Sequence, residues 1–363
     1  MRYYMPGLLH RDFQMTDKKV LITGNEAIAE GAIQAGCRFY AGYPITPQNE
    51  LTAYMASHMP EAGGIFIQSE SEIAAINMLF GASAAGARSM TSSSSPGISL
   101  KQEGISYIAG AELPAVIVNV MRGGPGLGNI WPAQSDYFQA TRGGGHGGYR
   151  SIVLAPACVQ ECYDLMFLAF DLADEYRIPA VILGDGMLGQ MMELLLVRGR
   201  KNKIPPKPWA LTGCKGRNPN IVKSFYMIEG DLERFNLSLQ RKYKIIQQKE
   251  ERFEGLFLDD AKIILVAYGT MARIAKSTVN TLRKKGKKIG LIRPVTLWPF
   301  PNKAFALRPK PNVKYLVIEM SYGQMVVDVK LAVNGKAGVE FLGRAGGGVP
   351  SEEDIIKKIS GMS

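Results

Sequence analysis

Histidine is scarce in this chain: three in 363 residues, His10, His58 and His146. Zinc hydrolysis and serine-triad chemistry lean on imidazole, so those classes have little to work with. Cysteine is nearly as sparse, at positions 37, 158, 162 and 214. Cys158 and Cys162 stand one helical turn apart. No second pair completes a zinc site, and no C-x-x-C-x-x-C run exists for an iron–sulfur cluster. The four read as reduced, mostly buried thiols. No apolar run approaches the ~20 residues that cross a bilayer. The opening MRYYMPGLLHRDFQM has neither the hydrophobic stretch nor the small-residue cleavage site of a signal peptide. The expectation is a cytoplasmic chain with no membrane association. Residues 1–17 read as a flexible N-terminal extension, with Met15 a second plausible start.

What is plentiful is positive charge and glycine. The net charge is +11 and there are 40 glycines. A basic chain raises the question of nucleic acid. Here the lysines and arginines are dispersed through 198–207, 241–244 and 284–288, and no aromatic platform accompanies them. Solvated faces account for them better, and no nucleic-acid partner is expected. The glycines cluster, which suits close backbone approach to a ligand or a partner.

Strand and helix patterns alternate from residue 19 to 186, beginning with KVLITG and ending with IPAVILGDG. AELPAVIVNVMR (111–122) is apolar throughout, as a strand buried on both faces must be. The fold class is α/β, a doubly wound, mainly parallel sheet. Residues 191–258 break the pattern with PPKPW, GRNPN and a charged stretch, and read as a connector carrying one exposed helix. A second, smaller α/β pattern fills 259–363. The first domain is therefore placed at 18–190.

Several segments could carry chemistry. In GYPITPQNEL two prolines bracket Ile45 and Thr46, and Pro47 suits the first turn of a helix over 47–59. In QSESEIAAI, Ser69 and Glu72 have capping-box spacing. Glu70 or Glu72 could instead accept a hydrogen bond from a ligand ring, and the residues alone leave both readings open. GGPGLG (123–128) follows a buried strand and Arg122, at the end where such sheets bind ligands. The GDG at 184–186, with Asn218 and Asn220 downstream, has the outline of a diphosphate–metal motif. Those asparagines lie in the proline-rich connector, so a plain strand-end turn is the better reading.

Together, GNEAIAEGAIQAG, GYPITPQNEL, QSESEIAAINMLFGASAAGARSMTSSSSPGISL and NVMRGGPGLGNIWPAQSDY resemble the alpha subunit of the 2-oxoacid:ferredoxin oxidoreductases. The branched-chain (2-oxoisovalerate) type is the nearest in pattern, and the resemblance spans roughly residues 18–350. It implies a pyrimidine-binding-like domain of the thiamine enzymes, followed by a transketolase C-terminal-like domain whose strand-to-helix turn is EMSYGQM (319–325).

The implied activity is oxidative decarboxylation of a 2-oxoacid with coenzyme A to acyl-CoA and carbon dioxide, with electrons passed to ferredoxin. Thiamine diphosphate would be shared with a beta subunit that holds the diphosphate and Mg2+, so Asp185 need bind no metal. Iron–sulfur clusters would sit on a ferredoxin-like subunit, with a gamma subunit completing the complex. Glu72, rather than Glu70, matches the family glutamate that meets the cofactor's pyrimidine. Thr46 matches the threonine that faces thiazolium and substrate, and Arg122 the arginine that meets an anionic group. Tyr43, Pro44, Ile45, Ser95, Pro96 and Gly97 are expected around the cofactor. Gly123, Gly124 and Asn129 are expected by the substrate, with Gly126, Trp131 and Gln134 shaping the loop. Ser95 in place of a glycine, and no second basic group, lean toward an apolar, branched substrate. Alternatives are 2-oxoglutarate or pyruvate, a ferredoxin-independent transketolase-like subunit, and a basic nucleic-acid-binding module.

Overall fold

The computed structural model describes residues 2–4, 13–200, 203–306 and 313–362. A seven-stranded sheet organises the first part. Its spatial order is Thr296–Trp298, Ile152–Leu154, Pro179–Asp185, Ala115–Met121, Ser89–Ser93, Phe39–Gly42 and Ile65–Gln68. Every pairing is parallel except that of the 296–298 strand. Ala115–Met121 is buried at all seven positions, because helices cover both faces and strands flank both edges.

The second sheet runs Arg2–Tyr4, Phe253–Leu256, Ile289–Pro294, Ile263–Val266, Lys314–Glu319 and Gly338–Gly343. Its last four strands are parallel. The sheets trade strands: 296–298 comes from the second half of the chain and pairs with the first sheet.

Four expectations need correction. Met192–Arg200 is a strand, not connector, and pairs antiparallel with Phe13–Thr23. Its partner lies some 170 residues upstream, so the local pattern hides it. Within the expected flexible extension, 2–4 pairs with 253–256, and 13–17 belongs to the strand Phe13–Thr23. Residues 1 and 5–12 lie outside the described residues. The helix after the double proline begins at Asn49, leaving Pro47 in the loop. The cap of helix Glu72–Ala84 is Ser71, whose hydroxyl accepts from Ala74 N at 3.1 Å. Ser69 instead donates to the carbonyl of Gly42, so the Ser69–Glu72 capping box does not form.

The expected connector helix is present as Asp231–Lys249, with Leu239, Tyr243 and Ile246 buried. Many basic side chains are tied into ion pairs. Arg88 meets Asp171 and Asp174 at 2.6 and 2.8 Å, and Arg293 meets Glu161 and Glu254 at 2.8 and 3.0 Å.

Candidate active site at the carboxyl ends of the first sheet

From the 39–42 strand the chain steps outward to 65–68, then returns to the other side at 89–93. That reversal opens a crevice between 39–42 and 89–93, at the carboxyl ends where open α/β sheets bind ligands. The double-proline loop enters it directly. Tyr43 and Pro44 are exposed, Ile45 and Thr46 half-buried, and Pro47 buried. The Thr46–Pro47 peptide is cis. The Thr46 hydroxyl accepts from Asn49 Nδ2 at 3.3 Å.

Arg122 ends the neighbouring 115–121 strand and joins this loop. Its Nη1 donates to the Thr46 carbonyl and its Nη2 to the Leu127 carbonyl, both at 3.0 Å. Two residues 76 apart in sequence are thus locked together. Behind them, the Ser95 hydroxyl donates to Asp136 at 2.5 Å and accepts from Arg122 N at 3.0 Å. Asn119 holds the same carboxylate at 2.9 Å. Burial raises the Asp136 carboxyl above its usual range, against the opposing pull of Ser95 and Asn119. The hydroxyl of Ser95 is therefore engaged in setting the backbone of Arg122. In the glycine loop, Gly128 has φ +60°, and a Cβ there would lie 1.7 Å from the Gly123 carbonyl oxygen, so only glycine fits. Asn129 Nδ2 crosses to the Gly346 carbonyl in the second domain at 3.1 Å.

Glu72 and Glu70 separate sharply. Glu70 is exposed; Glu72, the first residue of its helix, is 7% exposed. Gly97, in the first turn of the helix Ser95–Gly110, faces the Glu72 carboxylate. A Cβ on Gly97 would lie 2.6 Å from Glu72 Oε1 and 2.1 Å from Ser93 Oγ. No hydrogen bond reaches the Glu72 carboxylate from the described residues. The residue as a whole is buried, but its carboxylate oxygens are not among the fully sealed side-chain atoms, so the tip is open to the crevice.

It is not alone. Gln48 Nε2, the hydroxyls of Ser93 and Ser94, and Arg122 Nε are buried and have no partner among the described residues. All belong to segments leaving the carboxyl ends of three adjacent strands. A ring carrying both donors and acceptors fits this set: one anionic acceptor, several small donors and a glycine-lined gap. The aminopyrimidine of thiamine diphosphate is such a ring. No group of three His, Cys, Asp or Glu able to hold a metal is gathered among the described residues.

Two motif residues have structural work instead. Asp185 of the GDG accepts from Thr270 Oγ1 at 2.8 Å and Thr270 N at 3.2 Å, and from Met187 N and Leu188 N at 3.1 Å each. It ties the 179–185 strand to the second domain. Gln134, expected to shape the pocket, is fully buried and does the same. Its Nε2 donates to the Tyr268 carbonyl and its Oε1 accepts from Met320 N, both at 3.0 Å. Trp131 remains 62% exposed. Sequence reasoning missed Lys101, which is fully buried, with Nζ 3.0 Å from Thr91 Oγ1 and 3.4 Å from the Glu72 carbonyl. Its signal was the spacing of Gly97, Lys101 and Gly104, one face of a helix.

A doubly wound sheet with an unpartnered glutamate at its switch point, followed by a smaller parallel domain, defines a thiamine-enzyme type of subunit. Residues 30–208 match the family described as "Pyruvate flavodoxin/ferredoxin oxidoreductase, thiamine diP-bdg", and 261–355 match "Pyruvate:ferredoxin oxidoreductase core domain II". The ketoisovalerate oxidoreductase subunit VorB of Methanothermobacter marburgensis is 50% identical over 340 residues, covering 93% of this chain and 96% of that one. The 2-oxoglutarate synthase subunit KorA of the same organism is 37% identical over 374 residues, covering 95% and 99%. The solved 2-oxoglutarate:ferredoxin oxidoreductase from Magnetococcus marinus superposes with TM-score 0.84 at 26% identity. That match covers 94% of this chain and 65% of the neighbour, so the chain spans a little under two thirds of that protein's length. A split-gene transketolase shares the fold at TM-score 0.57 and 14% identity. The chain belongs to the 2-oxoacid:ferredoxin oxidoreductase family.

Proposed function

We propose that this chain is the alpha subunit of a complex that oxidatively decarboxylates a branched-chain 2-oxoacid with coenzyme A, giving acyl-CoA and carbon dioxide and passing two electrons to ferredoxin. The observation that carries the reading is Glu72: a largely buried glutamate whose carboxylate has no donor among the described residues, at the switch point of the sheet. Thiamine diphosphate, when bound, supplies the nucleophilic carbon and the electron sink that such a decarboxylation needs.

The chain's own residues do the rest. Glu72 holds a proton at the pyrimidine nitrogen N1′, and a fixed helix start keeps its geometry. The Thr46 hydroxyl meets the substrate's carboxylate or keto oxygen. Pro44 and Pro47 restrict the loop backbone, so little entropy is lost on binding. Arg122 keeps the Thr46 carbonyl in place, and its remaining Nε donor is available to an anion. Tyr43, Ile45, Pro96 and Gly97 line the cofactor's approach, with Ser95 behind Arg122. Gly123, Gly124 and Asn129 border the substrate. A beta subunit holds the diphosphate and Mg2+, a ferredoxin-like subunit carries the iron–sulfur clusters, and a gamma subunit completes the complex. The complex works in the cytoplasm.

The 50% identity to a ketoisovalerate oxidoreductase subunit supports the branched substrate over 2-oxoglutarate. The test is reduction of a viologen dye by the complex purified with its partner subunits, against a panel of 2-oxoacids with coenzyme A. The expected result is a preference for 3-methyl-2-oxobutanoate and loss of about 10²–10⁴ in turnover for Glu72→Gln. A preference for 2-oxoglutarate or pyruvate overturns the substrate. Full activity in Glu72→Gln overturns the site.

A further inference from the structure

Burying a lysine is costly unless it is paired, because the ammonium leaves water. Lys101 is completely buried, yet it has only a hydroxyl and a carbonyl within hydrogen-bond reach for three donors. Methionine would fill the same space without that cost, so packing alone does not explain a lysine here. Its surroundings do. Helix Ser95–Gly110 presents Gly97, Lys101 and Gly104 along one face, and helix Glu72–Ala84 presents Glu72 and Ile76 against it. A Cβ on Gly104 would lie 2.5 Å from the Ile76 side chain, as one on Gly97 would crowd Glu72. The two glycines let the helices close, and the lysine between them is brought up under the glutamate.

We propose that Lys101 is a positioning residue for Glu72. Its ammonium grips the main chain at the helix start, on the carbonyl of Glu72, and so fixes where the side chain leaves the helix while its carboxylate stays free for the cofactor ring. This rests on the reading of Glu72 as the cofactor's carboxylate. The grip is on the Glu72 carbonyl, at 3.4 Å, so the carboxylate oxygens are left for another donor. Burial draws the Lys101 ammonium down to about 8, while the charge of Glu72 pulls it back up, so the pair is electrostatically linked. The other side chain within reach of the ammonium is the uncharged Thr91 from the 89–93 strand, and Glu72 is the charged group that bears on it.

The experiment measures thiamine diphosphate affinity by calorimetry in the cofactor-stripped complex, across pH 5.5 to 9, for wild type, Lys101→Met, Glu72→Gln and the double variant. Lys101→Met is expected to weaken binding about tenfold at neutral pH. On the Glu72→Gln background it is expected to change little. An unshifted affinity in Lys101→Met, with Glu72→Gln still weakened, rejects the role of Lys101 alone. An equal loss on both backgrounds also rejects it, since the effect is then merely structural. Unchanged binding in Glu72→Gln rejects the underlying site. Lys101→Gln, which keeps a donor for Thr91, gives the same comparison should the methionine variant fail to assemble.

Discussion

Glu70 and Glu72 lie two positions apart, one in solvent and one folded under the next helix. The difference follows from Gly97. With a hydrogen in place of a methyl, the helix Ser95–Gly110 can approach the Glu72 carboxylate closely. Gly97→Ala is therefore expected to push Glu72 out of position and cut turnover at least tenfold, with a modest loss of stability; unchanged kinetics would remove Gly97 from the site. Arg122→Lys should be a poor substitute. A lysine cannot span the Thr46 and Leu127 carbonyls from one planar group. A raised KM for the 2-oxoacid is expected, and a KM equal to wild type counts against the clamp. Of these residues, Glu72, Thr46 and Arg122 were candidates in the sequence because each sits in a motif. Lys101 was not, since a lone lysine in a helix normally faces water.

At the scale of elements, the sequence reveals what is local. The 115–121 strand announces itself by an unbroken apolar run. The 192–200 strand does not, because its partner is the distant 13–23 segment and only one of its faces is covered. Leu195 is buried while Leu194 is 68% exposed. The helix pair 72–84 and 95–110 carries a stability signature. A lysine ordinarily titrates at 10.5, and burial lowers Lys101 to about 8. Between those values the unfolded chain binds the extra proton, so stability rises as pH climbs from about 8 to 10.5. The gain approaches about 3 kcal/mol. Denaturant titrations of wild type and Lys101→Met across that range should show the rise in the first and not the second. Parallel curves would mean that the lysine is not buried as described.

At the scale of the molecule, two halves with separate sheets are fastened by buried polar joints. Gln134 bonds Tyr268 and Met320, Asp185 holds Thr270, and Tyr137 donates to Asp328 at 2.5 Å. None of this could be read from the chain, because each joint links residues 85–191 positions apart. Gln134→Ala leaves the Met320 amide and Tyr268 carbonyl unpaired, at a cost of about 3 kcal/mol. A melting temperature several degrees lower is expected, and an unchanged one would show that the joint contributes nothing. Asn129 adds a bond to the Gly346 carbonyl, so the Arg122–Asn129 loop is held from both halves.

The most direct measurement is the structure of the assembled complex with thiamine diphosphate bound. The account predicts the Glu72 carboxylate within hydrogen-bonding distance of the pyrimidine N1′, in the crevice between the 39–42 and 89–93 strands. A cofactor bound elsewhere, with Glu72 still without a partner, would contradict it.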